Sequence, residues 1–281
     1  MRPLHNFFFK ASLFCLLACP AIAADLAVVI DDMGYDLERS RQVLSLKGVM
    51  TVAVLPLAPH AGEVAQLAEA AGWEVIVHQP MQSRPTSRVR MEPGMLMLGM
   101  TAQAFDTTLS EAFARVPQAR GLSNHTGSLL TQNSESMQML MKGIHARGLY
   151  FLDSRTTHLT VASDVAREFN VPTVQRDVFL DHDPTPEQIG REFERALTIA
   201  RKNGQAVVIA HPHPASLAYL AAQLENLPED IRMVLVSSLV RSQAGQEDDP
   251  DESAQPMPEV IDRAVLARQQ NPEFRHISPG Q

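Results

Sequence analysis

The sequence predicts an α/β fold in which helices flank a parallel sheet or barrel, within one large domain. Three observations carry this. About eight strand-like runs alternate with helical patterns over about 215 residues, the mark of successive βαβ units. Several of those runs are continuous in Val, Ile and Ala, as strands covered on both faces must be. The chain has 281 residues, 45% of them hydrophobic, enough for one domain of about 200–250 residues with a sizeable core.

In chain order, Leu26–Ile30 and Met50–Leu55 read as buried strands bounded by turn residues. Ala61–Ala71 carries Val64, Leu67, Ala68 and Ala71 at helical spacing, and Gly72 ends it. Val75–Val77 is the next strand. Residues 84–99, rich in Pro, Gly and Met without a period, read as a long loop forming a lid or cleft rim. Thr101 caps a helix running to Val116. Gly121–Asn124 and Leu149–Leu152 read as strands around a helix over Ser134–Ala146, and Thr160–Phe169 as a helix. Val174–Leu180 reads as one strand, Pro186–Lys202 as a long helix stopped by Gly204, Gln205–Ala210 as a strand, Ser216–Leu224 as a helix and Met233–Val236 as a last strand. From Ser242 the composition turns polar and acidic, that of a disordered tail over 242–281. Within it, Pro258–Gln270 has the pattern of a short amphipathic helix.

The first 23 residues read as a secretory signal. Arg2 and Lys10 precede a short apolar stretch, and Ala21-Ile22-Ala23 has the small-x-small form cut by a signal peptidase. That stretch is too short to span a bilayer, which takes about 20 apolar residues. Export to the periplasm is expected, with lipoprotein anchoring at Cys19 as the alternative, disfavoured by Pro20. Cys15 and Cys19 are the only cysteines, so the mature domain, 24–241, has no disulfide. Cleavage removes Arg2 and Lys10 and takes the net charge from −8 to −10. An acidic chain without a Lys/Arg block is a poor nucleic-acid binder. Only 5% of residues are aromatic, which argues against a carbohydrate cleft made mainly of stacking rings.

The chemistry gathers where strands end. Leu26-Ala27-Val28-Val29-Ile30 runs into Asp31-Asp32. Two adjacent carboxylates repel unless a cation or a proton is shared, and strand C-termini are where loops of α/β folds converge. A strand-end turn is the plain alternative. Histidines follow three further runs: His78, His125, and His211 with His213. Imidazole with carboxylate suits zinc or a similar divalent ion, and a hydrolytic site keeps one coordination position for water.

These motifs in order — Ile30-Asp31-Asp32-Met33-Gly34-Tyr35, Val54 to His60, Glu74 to Met81, Gly121 to Ser128, Phe151 to Ser154, Val178 to Asp181 and His211-Pro212-His213-Pro214 — resemble the divergent polysaccharide deacetylase family, the YibQ-like branch of the NodB-type carbohydrate deacetylases. The resemblance spans Asp25 to Leu239. It implies an irregular (β/α) barrel of seven or eight mostly parallel strands with a divalent metal, commonly zinc, at its C-terminal mouth. Carried over, Asp31 is the general base and Asp32 a metal ligand. His78 matches the first of two ligand histidines, but Gln82 stands at the second, four residues on. His125, from a neighbouring run, is taken as the replacement ligand. Asn124-His125-Thr126 itself resembles the start of the paired-histidine motif, with Leu129 at its second place. His211 is taken as the acid for the leaving amine, ahead of His213. Asp153 and Asp181 either orient histidines or cap the following loops, and Asn124 and His213 complete the substrate-side candidates. His60 reads as a turn residue, and His145, His158 and His182 as surface residues.

The implied activity is hydrolysis of acetyl groups on a polysaccharide or peptidoglycan-type glycan through a metal-activated water. The alternative class, motivated by Gln82, is a glycan-binding or envelope-assembly protein that keeps the barrel without catalysis.

Overall fold

A computed structural model describes residues 23–85 and 91–240. Residues 1–22 of the expected leader, the tail over 242–281 and its Pro258–Gln270 segment lie outside the described residues. The elements in order are β1 (Ala24–Met33), α1 (Leu37–Leu44), β2 (Thr51–Val54), α2 (Ala61–Ala70), β3 (Glu74–Met81), α3 (Ala102–Arg115), β4 (Gly121–Thr126), α4 (Ser134–His145), β5 (Tyr150–Asp153), α5 (Ala162–Glu168), β6 (Thr173–Gln175), β7 (Val178–Phe179), α6 (Pro186–Asn203), β8 (Gln205–Ala210), α7 (Pro214–Glu225) and β9 (Ile231–Val234). Every strand pair is parallel, in the order β6-β5-β4-β3-β2-β1-β8-β7. β9 joins the first half of β1, on the edge whose second half is taken by β2. This is an irregular (β/α) barrel.

The single strand expected over Val174–Leu180 is two short ones. β6 pairs with β5 and β7 with β8, at opposite ends of the sheet. The switch falls between Arg176, whose N–H donates to Asp153 O, and Asp177, whose N–H donates to Val207 O. One stretch of chain thereby bridges the two sheet ends. Helix α1 was not read from the sequence: Asp36 caps it, and its apolar stripe is only Leu37, Val43 and Leu44, with Val43 buried and both leucines partly buried against the core. Helix α6 is the opposite case. Thr185 caps it, Pro186 opens it, and Gly204 closes it in the left-handed region at φ 79°. Its buried residues Ile189, Phe193, Ala196, Leu197 and Ala200 form one stripe.

Two apolar layers follow from strand alternation. Leu26, Val28, Ile30, Val52, Val54, Val75, Val77, Leu122, Phe151, Ala206 and Val208 face outward into the helix-packed core. Ala27, Val29, Ala53, Ile76, Tyr150, Leu152, Val207 and Ile209 face inward and fill the barrel. The same inward register on β3 runs Glu74, Ile76, His78. Glu74 forms the barrel floor, its Oε1 accepting from Thr51 Oγ1, Tyr150 OH and the Ser237 N–H at 3.0, 2.8 and 3.1 Å.

Gly121 lies against that floor. A Cβ there would sit 2.7–2.8 Å from Tyr150 ring atoms, and the Tyr150 hydroxyl bond to Glu74 holds the ring in place. G121A is therefore expected to destabilise the fold by about 1–3 kcal/mol. Urea unfolding should show a lower midpoint at unchanged slope; an unshifted midpoint would contradict this packing.

Candidate metal centre and active site

The inward register delivers the site. Counting along the inward positions, β1 presents Ala27, Val29 and then Asp31, β3 presents His78, β4 presents Ser123 and then His125, and β8 continues through Ile209 to His211. Register pairs His78 with Ser123 and Pro80 with His125, so both histidines stand on one face of adjacent strands. His78 lies inside β3, which runs on through Met81, beyond the strand expected to stop at Val77.

Asp32 should by alternation point outward. It does not, because pairing with β2 shifts register between Ile30 and Met33 and Asp32 adopts φ 59°. Asp tolerates the left-handed region better than most residues, and bulges re-aim side chains beside active sites. The irregularity turns Asp32 back to the mouth, next to Asp31.

Three donor atoms converge there. Asp32 Oδ1 lies 2.8 Å from His125 Nδ1 and 3.3 Å from His78 Nε2, and the two ring nitrogens are 3.2 Å apart. Tetrahedral zinc with bonds of about 2.0–2.1 Å sets its ligand atoms about 3.3 Å apart, so the triangle fits such an ion. Asp32 Oδ1 is buried and makes no hydrogen bond of acceptable geometry, an orphaned acceptor that a cation would satisfy. The histidine ring nitrogens not in the triangle are held: Ser123 Oγ is 2.7 Å from His78 Nδ1, and Glu92 Oε1 is 3.1 Å from His125 Nε2. Such outer partners fix ring orientation and tautomer. Burial would raise the Asp32 carboxyl, but His125 and His78 outweigh it and hold it well below the usual range. Burial lowers His125, but Asp32 and Glu92 push it up to about 10.

Asp31 and His211 flank the triangle. Asp31 Oδ2 is 3.4 Å from His78 Nε2, while its Oδ1 is buried without a hydrogen-bond partner. Burial is the largest influence on Asp31 and raises its carboxyl. His211 Nε2 lies 3.7 Å from Asp32 Oδ2. Its Nδ1 meets Asp181 Oδ1 at 2.9 Å. Asp181 Oδ2 accepts from the His211 backbone N–H and from Ser216 Oγ, both at 2.7 Å. Burial lowers His211, but Asp181, then Asp31 and Asp32, outweigh it and raise it. These groups open on a cavity of about 370 Å³, edged by Arg155, Arg176, Phe179 and His182.

The model of a family described as divergent polysaccharide deacetylase matches residues 28–240. The chain belongs to the divergent polysaccharide deacetylase family. The Escherichia coli K12 protein YibQ is 39% identical over 240 residues, 85% of this chain and 75% of that one. A Haemophilus influenzae protein is 39% identical over 218 residues, 78% of this chain and 77% of its own. A solved structure from Agrobacterium tumefaciens C58 matches with a TM-score of 0.73 at 24% identity, covering 79% of this chain and 91% of that one; at that identity the likeness is one of fold.

In this member of the family, five sequence candidates come together: Asp31, Asp32, His78, His125 and His211. Asp181 orients His211, one of the two roles open to it. Asp153 orients no histidine among the described residues. It sits one position out of the inward register, and its oxygens accept from the Arg155 N–H and Thr160 Oγ1, capping the following loop. Asn124 is buried at the cavity but latches loops, bonding Thr126 O and the Ser154 N–H. His213 is exposed, stacked on His211 at 5.7 Å between ring centroids. Gln82 is absent from the donor cluster: its Oε1 accepts the Leu98 N–H and so holds the 84–99 loop. His60 precedes α2 without a capping bond. His182, exposed as expected, nevertheless edges the cavity.

Sequence reasoning missed Glu92, Ser123, Ser216 and Arg176. Ser123 was within reach, since it shares the inward register of His125 two residues on. Glu92 arrives from the loop read as a lid or rim, anchored by the buried Leu96 whose N–H donates to Pro80 O. S123A is expected to lower divalent-metal affinity about tenfold, read by metal titration with the chain still folded. Unchanged affinity would remove Ser123 as the support of His78.

Proposed function

We propose that this protein is an exported metal-dependent hydrolase of the polysaccharide deacetylase type, removing acetyl groups from an N-acetylated envelope glycan such as peptidoglycan. One observation carries the reading: the orphaned Asp32 Oδ1 meets two ring nitrogens from neighbouring strands, with a buried carboxylate on one flank and a carboxylate-backed histidine on the other. Asp32, His78 and His125 would hold the ion, with zinc the proposed metal. Bound there, a divalent cation supplies Lewis acidity, activating a water and polarising an acyl carbonyl.

The chain's own groups do the proton work. Asp31, with Oδ1 unpartnered, takes a proton from the attacking water. His211, charged through Asp181, gives a proton from Nε2 to the departing amine. The leader over residues 1–23 would deliver the domain to the periplasm. No helix among the described residues is long and apolar enough to cross a membrane.

The test pairs elemental analysis of the purified protein with acetate release from peptidoglycan and chitin fragments. Stoichiometric divalent metal with metal-dependent release is expected. Tight glycan binding by metal-depleted protein, with no acetate released, would instead identify a glycan-binding protein that keeps the barrel without catalysis.

A further inference from the structure

The guanidinium-bearing Arg155 and Arg176 edge the same cavity as Asp31, His78 and His125. Among the described residues neither has a carboxylate within ion-pair distance, whereas the surface arginines Arg191, Arg195 and Arg201 each pair with one. Arg176 is fixed rather than loose. Its Nε donates to Ser154 O at 2.7 Å, one Nη donates to Arg155 O at 3.0 Å, and its guanidinium lies 5.2 Å from the Phe179 ring centroid. The other Nη makes no hydrogen bond within the described chain. Arg155 holds φ 48° at the start of the loop after β5, its backbone N–H tied to Asp153 Oδ1 and one Nη to Gln175 Oε1. A residue other than glycine in that region marks a position held by its surroundings. Burial pulls Arg176 below its ordinary range and repulsion from Arg155 adds to this, while the carboxylates of Asp153 and Asp31, beyond ion-pair distance, only partly oppose it. Two adjacent cations held against repulsion make a fork suited to an anion, above all a planar carboxylate.

We infer that the cavity takes an acylated sugar that also bears a carboxylate, which Arg155 and Arg176 hold while the acyl group faces Asp31 and the donor triangle. This rests on the deacetylase reading for the acyl end only; the anion site stands on the two arginines. The carboxylate can belong to a lactyl ether, as in N-acetylmuramic acid, or to a uronic acid.

The experiment is calorimetric binding to the purified full chain, metal-loaded and chelator-treated, of N-acetylglucosamine, N-acetylmuramic acid and N-acetylglucosaminuronic acid. At least one anionic sugar should bind more than about tenfold tighter than the neutral one. The margin should persist after chelation and shrink with added salt. R155Q should remove most of it. Because Arg176 also holds two backbone carbonyls, R176Q serves as a second variant, checked for folding. Which of the two anionic sugars is favoured identifies the carboxylate. Equal affinity for neutral and anionic sugars, or a margin that survives in R155Q and in folded R176Q, overturns the proposal. Acetate release from neutral chitin fragments is scored separately, so failure of the anion site and failure of the deacetylase reading remain distinct results.

Discussion

A His78→Ala variant is expected to bind divalent metal more than about 100-fold more weakly than the parent. His78 Nε2 is one corner of the triangle, 3.3 Å from Asp32 Oδ1 and 3.2 Å from His125 Nδ1. Its removal leaves two donors from the chain, too few for a site that binds tightly and keeps one position for water. It also strands the buried Ser123 hydroxyl and takes from Asp31 Oδ2 its neighbouring ring nitrogen. The loss is read as metal per chain after dialysis against a weak chelator. His125→Ala, at a less buried corner, gives the same readout if His78→Ala folds poorly. Gln82→Ala is the contrasting variant. Gln82 touches the 84–99 loop and not the triangle, so it should keep its metal. Full occupancy in both histidine variants would dismantle the proposed centre.

An Asp31→Asn variant should keep its metal yet lose about 10²–10⁴-fold in hydrolysis. Asp31 is only 3% exposed, and its Oδ1 has no hydrogen-bond partner. Burial raises the carboxyl, which makes the carboxylate a stronger base than an exposed aspartate. Asparagine keeps the volume and removes the basicity, while Asp32, His78 and His125 stay in place. Metal stoichiometry and acetate release measured on one preparation separate the two roles. Undiminished release would take the base assignment away from Asp31; lost metal would make it a ligand instead.

Much of this was readable before the fold was. Strand side chains alternate, so once Val29 and Ile76 face the barrel interior, Asp31 and His78 must face it as well. His125 and His211 follow from the same count on β4 and β8. The count also excludes Asp153, whose outward position made it a loop cap. The departures have local causes. Helix α1 hid because it is only 8 residues long and its apolar stripe is just Leu37, Val43 and Leu44. The stretch Val174–Leu180 split because Arg176 and Asp177 direct their N–H groups to opposite ends of the sheet.

The main alternation of strands and helices, the family motifs and the strand-end positions of Asp31, His78, His125 and His211 were legible in the sequence alone, through periodicities that each short segment carries within itself; helix α1 and the split of Val174–Leu180 were not. Only the tertiary structure decided that Asp32 turns back through a left-handed residue, that His125 rather than Gln82 stands beside His78, that Glu92 reaches His125 from a distant loop, and that Arg155 and Arg176 share the cavity. Those outcomes depend on which strands become neighbours and where a loop returns. Both are set by packing between residues far apart in the chain, which no local period encodes.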